Sequence, residues 1–274
     1  MRRTGRRQAG LLLPALLAGM LGLVLVLLAA REQISLHHLT GQQALRQAQQ
    51  AATVRQRLTD WYQQNQFLLT QAAGAAPAPA TVLADLRAPG PWHALLGTVH
   101  ACAGARGASV FAWVDSTQGP AQFDPVRQGL IGAHADTQLV VVDGCALQQA
   151  AVQQANRTLQ RVAQRLESWF QARVADDPRH RLDRNYFQEA APTCVAGPDQ
   201  LPCLPDYVPV TGLAFFQRQL GLQPSELVGP WGSPFPVEVS AGAPASQQPP
   251  YSLALRLQTP WGDALAAQAV QPGA

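Results

Sequence analysis

"ALQQAAVQQANRTLQRVAQRLESWFQARV", Ala146–Val174, is the stretch on which the fold class turns. Leu147, Ala151, Ala155, Leu159, Val162, Leu166, Trp169 and Phe170 recur at mostly three- and four-residue steps, with Gln and Arg on the other face. Apolar residues at that spacing line one side of an α-helix, so the stretch reads as a long helix with a single face against a core. Asn156-Arg157-Thr158 matches a glycosylation sequon, but a mid-helix match of three residues is a chance event and carries no weight.

The segments on either side read as strands. Upstream, "ASVFAWVDS" (Ala108–Ser116) and "TQLVVVDG" (Thr137–Gly144) are rich in β-branched and aromatic residues and end in turn chemistry. The residues between them read as loop with one further strand around Gln128–Ile131. "TVLADL", Thr81–Leu86, suggests a short helix. Downstream, Leu213–Gly242 reads as a short helix, a turn and a strand, and Pro249–Val270 as two strands about a turn. Pro230-Trp231-Gly232 and Pro260-Trp261-Gly262 supply the corners: Pro presets φ, Gly supplies positive φ, and the indole folds back over the sheet.

A second helical pattern precedes all of this. Ile34–Leu69 contains no proline and one glycine, with apolar residues Leu36, Leu39, Leu45, Ala48, Ala51 or Ala52, Val54, Leu58, Trp61 and Tyr62 forming a stripe. The heptad is not sustained, which favours one face packed on a domain over a coiled coil. "RQRLTDWYQQN" here and "AQRLESWFQAR" in the later helix share Gln-Arg-Leu-x-x-Trp-aromatic-Gln. One short echo reads as parallel helix–sheet packing rather than duplication.

Before that helix lies "RRQAGLLLPALLAGMLGLVLVLLAAREQ", Arg6–Gln33. The uncharged run Leu11–Ala30 would make a helix of about 30 Å, the thickness of a bilayer's hydrocarbon core. A secretory signal has a shorter apolar region, although "LLAA" before Arg31 resembles a cleavage site. Arg2, Arg3, Arg6 and Arg7 precede the run, so the positive-inside rule puts residues 1–10 in the cytoplasm and the rest outside. The expected fold class is α+β. A single N-terminal transmembrane helix extends into a long amphipathic helix, and the exported domain carries a second long helix and an antiparallel C-terminal sheet. By segment these are a basic leader (1–10), the membrane helix (11–30), its amphipathic extension (31–73), an Ala/Pro linker (74–80), an exported α/β segment (81–145) and the second helix with the C-terminal sheet (146–274).

Composition narrows function by exclusion. Every basic residue other than histidine is arginine, and the net charge of +3 falls to about −1 once the four leader arginines are set aside. Nucleic acid is therefore not an expected partner. Gly-x-Ser-x-Gly, HExxH, a glycine-rich phosphate loop and CxxC are all missing from the sequence. His134 and Asp136 come nearest to a polar constellation, and a loop pair of this kind reads as solvated; no catalytic residue or cofactor is expected.

The four cysteines, Cys102, Cys145, Cys194 and Cys203, all follow the anchor. An even count in an exported chain reads as disulfides, with three possible connectivities. Cys194 and Cys203 bracket a turn-rich loop, while Cys102 and Cys145 sit at strand edges, so Cys102–Cys145 with Cys194–Cys203 is the expected pairing. A metal site is not expected, because His37, His38, His93, His100, His134 and His180 do not cluster near the cysteines at ligand spacing.

Leader, glycine, apolar helix and exported α+β domain together resemble type IV pilins and the pseudopilins of type II secretion. In that family a prepilin peptidase cuts after a glycine that follows basic residues, which here implies cleavage between Gly10 and Leu11. "GLLLPALLAGM" is similar to the minor-pilin form Gly-Phe-Ser-Leu-Pro-Glu-Val-Leu, with Leu13 and Pro14 on its Leu-Pro. "GPWGSPFPVEV" resembles the Asp-Pro-Trp-Gly-x-Pro turn before the C-terminal strands of many pseudopilins, with Gly229 in place of Asp. Leu11 replaces the usual Phe, and Ala15 stands where most members carry the Glu thought to meet a neighbour's N-terminal ammonium. A buried carboxylate without its partner is costly, and a subunit with no neighbour above it does without one. The resemblance thus implies a non-enzymatic minor subunit, tip-like or initiating, of a pilus or secretion assembly. Its partners would be other pilin or pseudopilin subunits through the N-terminal helix, the peptidase and the bacterial inner membrane. A bitopic periplasmic scaffold unrelated to pilins is the alternative, and it would keep residues 1–10.

Overall fold

The computed structural model describes residues 44–67, 69–70, 92–124, 129–134, 137–179, 185–186, 206–240 and 248–271. The chain forms two compact units, 1–54 and 55–274, so the division falls inside the 31–73 segment. Leader, membrane run, Ala/Pro linker, the 81–86 helix, Cys194 and Cys203 lie outside the described residues, as do Gly10, Leu11, Leu13, Pro14 and Ala15. Among the described residues no helix is long and apolar enough to cross a membrane.

Helix α1 covers 44–67 and continues at 69–70. Residues 44–50 are all exposed, with Leu45 at 64%. The stripe expected from Leu36 onward is therefore not buried at Leu45. In the second unit it is buried at Leu58, Trp61 and Tyr62, where α1 meets the sheets.

Among the described residues the second unit holds a three-stranded and a five-stranded antiparallel sheet, with a long helix between them in sequence, and two two-stranded hairpins. The first sheet contains β1 (Trp92–Leu96), β4 (Val110–Val114) and β7 (Gln138–Val142), with β4 central. β4 and β7 are the two strands expected from composition. β1 was not, because "WHALL" has no alternation and little β-branched content; pairing with β4 from Trp92↔Val114 to Leu96↔Val110 makes it a strand. Two hairpins flank this sheet: β2 (His100–Cys102) with β3 (Ala105–Gly107), and β5 (Gln122–Asp124) with β6 (Gly129–Ile131). β6 is the short strand expected near Ile131, while β2, β3 and β5 are too short to show a pattern.

Helix α2 spans Gly144–Asp176. Asp143 caps it, its Oδ1 accepting from the Cys145 and Ala146 amides at 2.9 and 3.3 Å, which satisfies two of the N–H groups a helix start leaves open. Ala151, Ala155, Leu159, Val162, Leu166 and Phe170 are buried as their spacing requires, and Trp169 packs at the margin. The polar face is not wholly exposed, however: Gln148, assigned to it with the other glutamines, is fully buried.

The C-terminal sheet runs in the order β12-β11-β10-β8, with β9 also paired to β10. Its strands are β8 (Val208–Pro209), β9 (Val228–Gly229), β10 (Gly232–Ser240), β11 (Ser252–Gln258) and β12 (Ala264–Val270), and the short helix α3 is Ala214–Arg218. α2 lies across this sheet, and the Glu167 carboxylate accepts from the Val270 amide at 3.1 Å. Leu159, Leu166 and Phe170 from the helix, Val237, Leu253, Leu255 and Leu257 from the sheet, and Phe215 and Phe216 from α3 form one core. Each such side chain contributes about 1.5–3 kcal/mol on burial, set against the entropy of ordering the chain.

Candidate functional site

Each Pro-Trp-Gly corner is a turn, as expected, with positive φ at its glycine: +92° at Gly232 and +93° at Gly262. Pro260-Trp261-Gly262 closes the β11–β12 hairpin, where the Gly262 amide donates to the Thr259 carbonyl at 3.0 Å. Pro230-Trp231-Gly232 turns β9 into β10. What the sequence does not show is that the two corners meet. The Trp231 and Trp261 rings pack edge to face at 5.5 Å, and Trp231 also meets Phe235 at 6.2 Å.

The indoles differ in what they do. Trp261 stays near the surface and its Nε1 donates to Asp263 Oδ2 at 2.8 Å. Trp231 is buried, and its Nε1 donates to Gln148 Oε1 on α2 at 2.8 Å. α1 reaches the same corner: Gln66 Nε2 donates to the Pro230 carbonyl at 2.6 Å, and Phe67 meets Phe235 edge to face at 5.3 Å. One turn thus collects both long helices and the C-terminal sheet. Sequence reasoning missed Gln148 and Gln66. A signal existed for Gln148, since it falls on the line Gly144, Gln148, Ala151, Ala155 that faces the core.

Beneath this corner, Tyr62 of α1 is fully buried. Its hydroxyl lies near the Gln148 side chain and the Ala108 backbone without closing a hydrogen bond to a partner. Burial pushes the phenol above its ordinary 10.0, against smaller opposing pulls from Gln148 and Ala108. Because the folded state favours the neutral hydroxyl, stability from Tyr62 is intact below pH 10 and erodes as pH rises through the shifted value. An ultraviolet absorbance titration should show a late-ionising tyrosine that Tyr62→Phe removes, with a shallower alkaline loss of stability in the variant. A Tyr62→Phe titration identical to the parent's would refute this assignment.

The second constellation lies at the start of α2. Cys102, ending β2, is joined to Cys145, in the first turn of α2, with Cα atoms 5.8 Å apart. Both cysteines are half-buried and His100 beside them is exposed. Contrary to the expectation that histidines keep clear of the cysteines, His100 Nε2 lies 3.2 Å from Cys145 Sγ. His100-x-Cys102 was the available signal: on a strand, residues two apart share a face. The other ring nitrogen, Nδ1, is 3.1 Å from the Thr98 carbonyl, which can only accept, so Nδ1 carries the proton.

Backbone packing holds these three residues in place. A Cβ on Gly107 would stand 2.7 Å from the Gly144 carbonyl, and one on Gly144 would stand 2.0 Å from the Ala108 carbonyl. The strand hairpin and the helix start therefore touch main chain to main chain, as only glycine permits. Gln149 Nε2 also donates to the Ala103 carbonyl at the hairpin turn, at 3.3 Å.

A third polar group sits on the first sheet. His93 Nε2 is 3.0 Å from Asp115 Oδ2, and the His93 ring stacks on Trp113. The Ala121 amide donates to Asp115 Oδ1 at 3.0 Å and is the main reason the carboxyl is held below its ordinary range, with His93 assisting. These contacts tie the β4 end to the segment entering β5. His134 is exposed and its amide donates to Thr137 Oγ1, while Asp136 lies outside the described residues.

The fold and its corners define a mixed helix and antiparallel-sheet protein of the α+β class. No family model, curated protein or solved structure matches the chain.

Proposed function

We propose that this chain is a non-enzymatic, membrane-anchored minor pilin or pseudopilin-like subunit of a type IV pilus or type II secretion type assembly, placed at a tip or in an initiating complex. In this reading Leu11–Ala30 sits in the bacterial inner membrane, residues 1–10 face the cytoplasm, and the C-terminal domain is periplasmic or carried on the filament. The observation that supports it best is the docking of the end of α1 on the Pro230-Trp231-Gly232 corner, through Gln66 on the Pro230 carbonyl and Phe67 on Phe235. A subunit held by its N-terminal helix needs that helix fastened to the exported domain, or movement of one would not carry the other.

Mature-chain mass spectrometry tests the proposal. Coexpression with a prepilin peptidase should give a chain beginning at Leu11, and replacing Gly10 by a bulky residue should block that cut. A chain still beginning at Met1 beside an active peptidase would point instead to a bitopic scaffold, and one beginning near Arg31 to an exported soluble protein.

A further inference from the structure

His100, Cys102 and Cys145 offer one nitrogen and two sulfurs, all within 4.8 Å of one another. We propose that this corner is a redox-gated site for a soft d¹⁰ cation, Zn²⁺ in the first instance, closed while Cys102–Cys145 is oxidised and open once it is reduced. The donor set is the one such ions prefer, thiolate and neutral imidazole. Tetrahedral Zn²⁺, with Zn–S of about 2.3 Å and Zn–N of about 2.0–2.1 Å, sets its ligand atoms about 3.5–3.8 Å apart. Reaching that spacing needs side-chain rotation at the two cysteines and little movement of His100.

Two features make this more than a chance cluster. The first is the histidine. Its Nδ1–H is committed to the Thr98 carbonyl, leaving Nε2 facing Cys145 Sγ at 3.2 Å. Metal-ligating histidines are oriented in this way, their second nitrogen donating to a backbone carbonyl or carboxylate. The second is that the S–S bond is not the sole tie between the two segments. The Gly107–Gly144 approach and the Gln149–Ala103 bond hold the hairpin and helix start together independently of it. Reduction should therefore release two thiols into a site that is already assembled.

The steps balance. A dithiol reductant supplies two electrons and two protons, becoming a disulfide as Cys102–Cys145 becomes two thiols. Each thiol then gives its proton to solvent as its sulfur donates a lone pair to the cation. Two thiolates, one neutral imidazole and Zn²⁺ sum to zero charge, and water takes the fourth position.

The test uses the purified full chain, oxidised or reduced with a dithiol that is then removed without air, and titrated with Zn²⁺ and with Co²⁺ as a spectroscopic probe. The reduced chain should take up about one cation more than the oxidised chain. With Co²⁺ it should show tetrahedral ligand-field bands and sulfur-to-cobalt charge transfer. His100→Ala should weaken binding by more than the roughly 10–100-fold typical of losing an outer-shell partner. The doubly substituted Cys194→Ser, Cys203→Ser chain should keep the site, which separates it from the other cysteines. Equal uptake by oxidised and reduced chains, an unchanged spectrum in His100→Ala, or loss of binding in the Cys194/Cys203 variant would each overturn the proposal. So would collapse of the helical circular dichroism on reduction without cation uptake, because the site would then not be preassembled.

Discussion

Gly144→Ala should destabilise the second unit by about 3 kcal/mol or more, lowering its Tm by on the order of 6–12 °C. The added Cβ would stand 2.0 Å from the Ala108 carbonyl oxygen and 2.5 Å from the Tyr62 hydroxyl. Neither distance is tolerable, and only the second involves a side-chain end. The carbonyl is backbone of the short link between β3 and β4, and β4 is central in its sheet, so it has little freedom to retreat. Thermal unfolding of Gly144→Ala, Tyr62→Phe and the double variant separates the two contacts. Removing the Tyr62 hydroxyl should restore little of the loss, because the Ala108 clash persists. A Gly144→Ala chain within about 0.5 kcal/mol of the parent, the range of ordinary surface changes, would show that the helix start is free to shift. The rigidity invoked for the cysteine corner would then fail as well.

Trp231→Ala should cost about 3–5 kcal/mol, the usual range for removing a buried tryptophan. It also strips Gln148 Oε1 of its donor, and an unpaired buried acceptor costs about 1–3 kcal/mol. Trp231→Phe keeps much of the packing while losing the Nε1–H, so it should fall between parent and alanine. Trp261→Ala is the control. Its ring touches Trp231 and its Nε1 bonds a neighbouring exposed carboxylate, so its loss should cost clearly less. Hydrogen exchange should also rise in α1 around residues 58–67 in Trp231→Ala, because the Gln66–Pro230 bond depends on the shape of that corner. Equal losses from Trp231→Ala and Trp261→Ala would remove the special place given to the first corner.

The resemblance that motivates the functional proposal rests on local strings near the two ends of the chain, whereas the contacts made at the second of them, the Pro230-Trp231-Gly232 corner, join residues far apart in sequence. That difference governs how legible the molecule was. The apolar line of α2, the β-branched and aromatic content of β4 and β7, and the two Pro-Trp-Gly turns are properties of windows of some four to twenty residues. Within such windows backbone geometry alone sets the periods of 3.6 and 2 and the glycine requirement at positive φ. β1, β2, β3 and β5 carry no such period. They are strands because a partner strand takes up their amides and carbonyls.

By itself, then, the sequence determined the α+β class, the long second helix, the C-terminal strands and their glycine-dependent corners, because each follows from nearest-neighbour stereochemistry and hydrophobic period. Only the tertiary structure decided which polar groups meet. Trp231 finds Gln148 across 83 residues, Gln66 finds Pro230 across 164, and His100 finds Cys145 across 45. A glutamine on a helix looks the same in sequence whether it faces water or an indole N–H. Burying it costs free energy unless a partner arrives from elsewhere in the chain, and whether one arrives is settled by how helix and sheet dock.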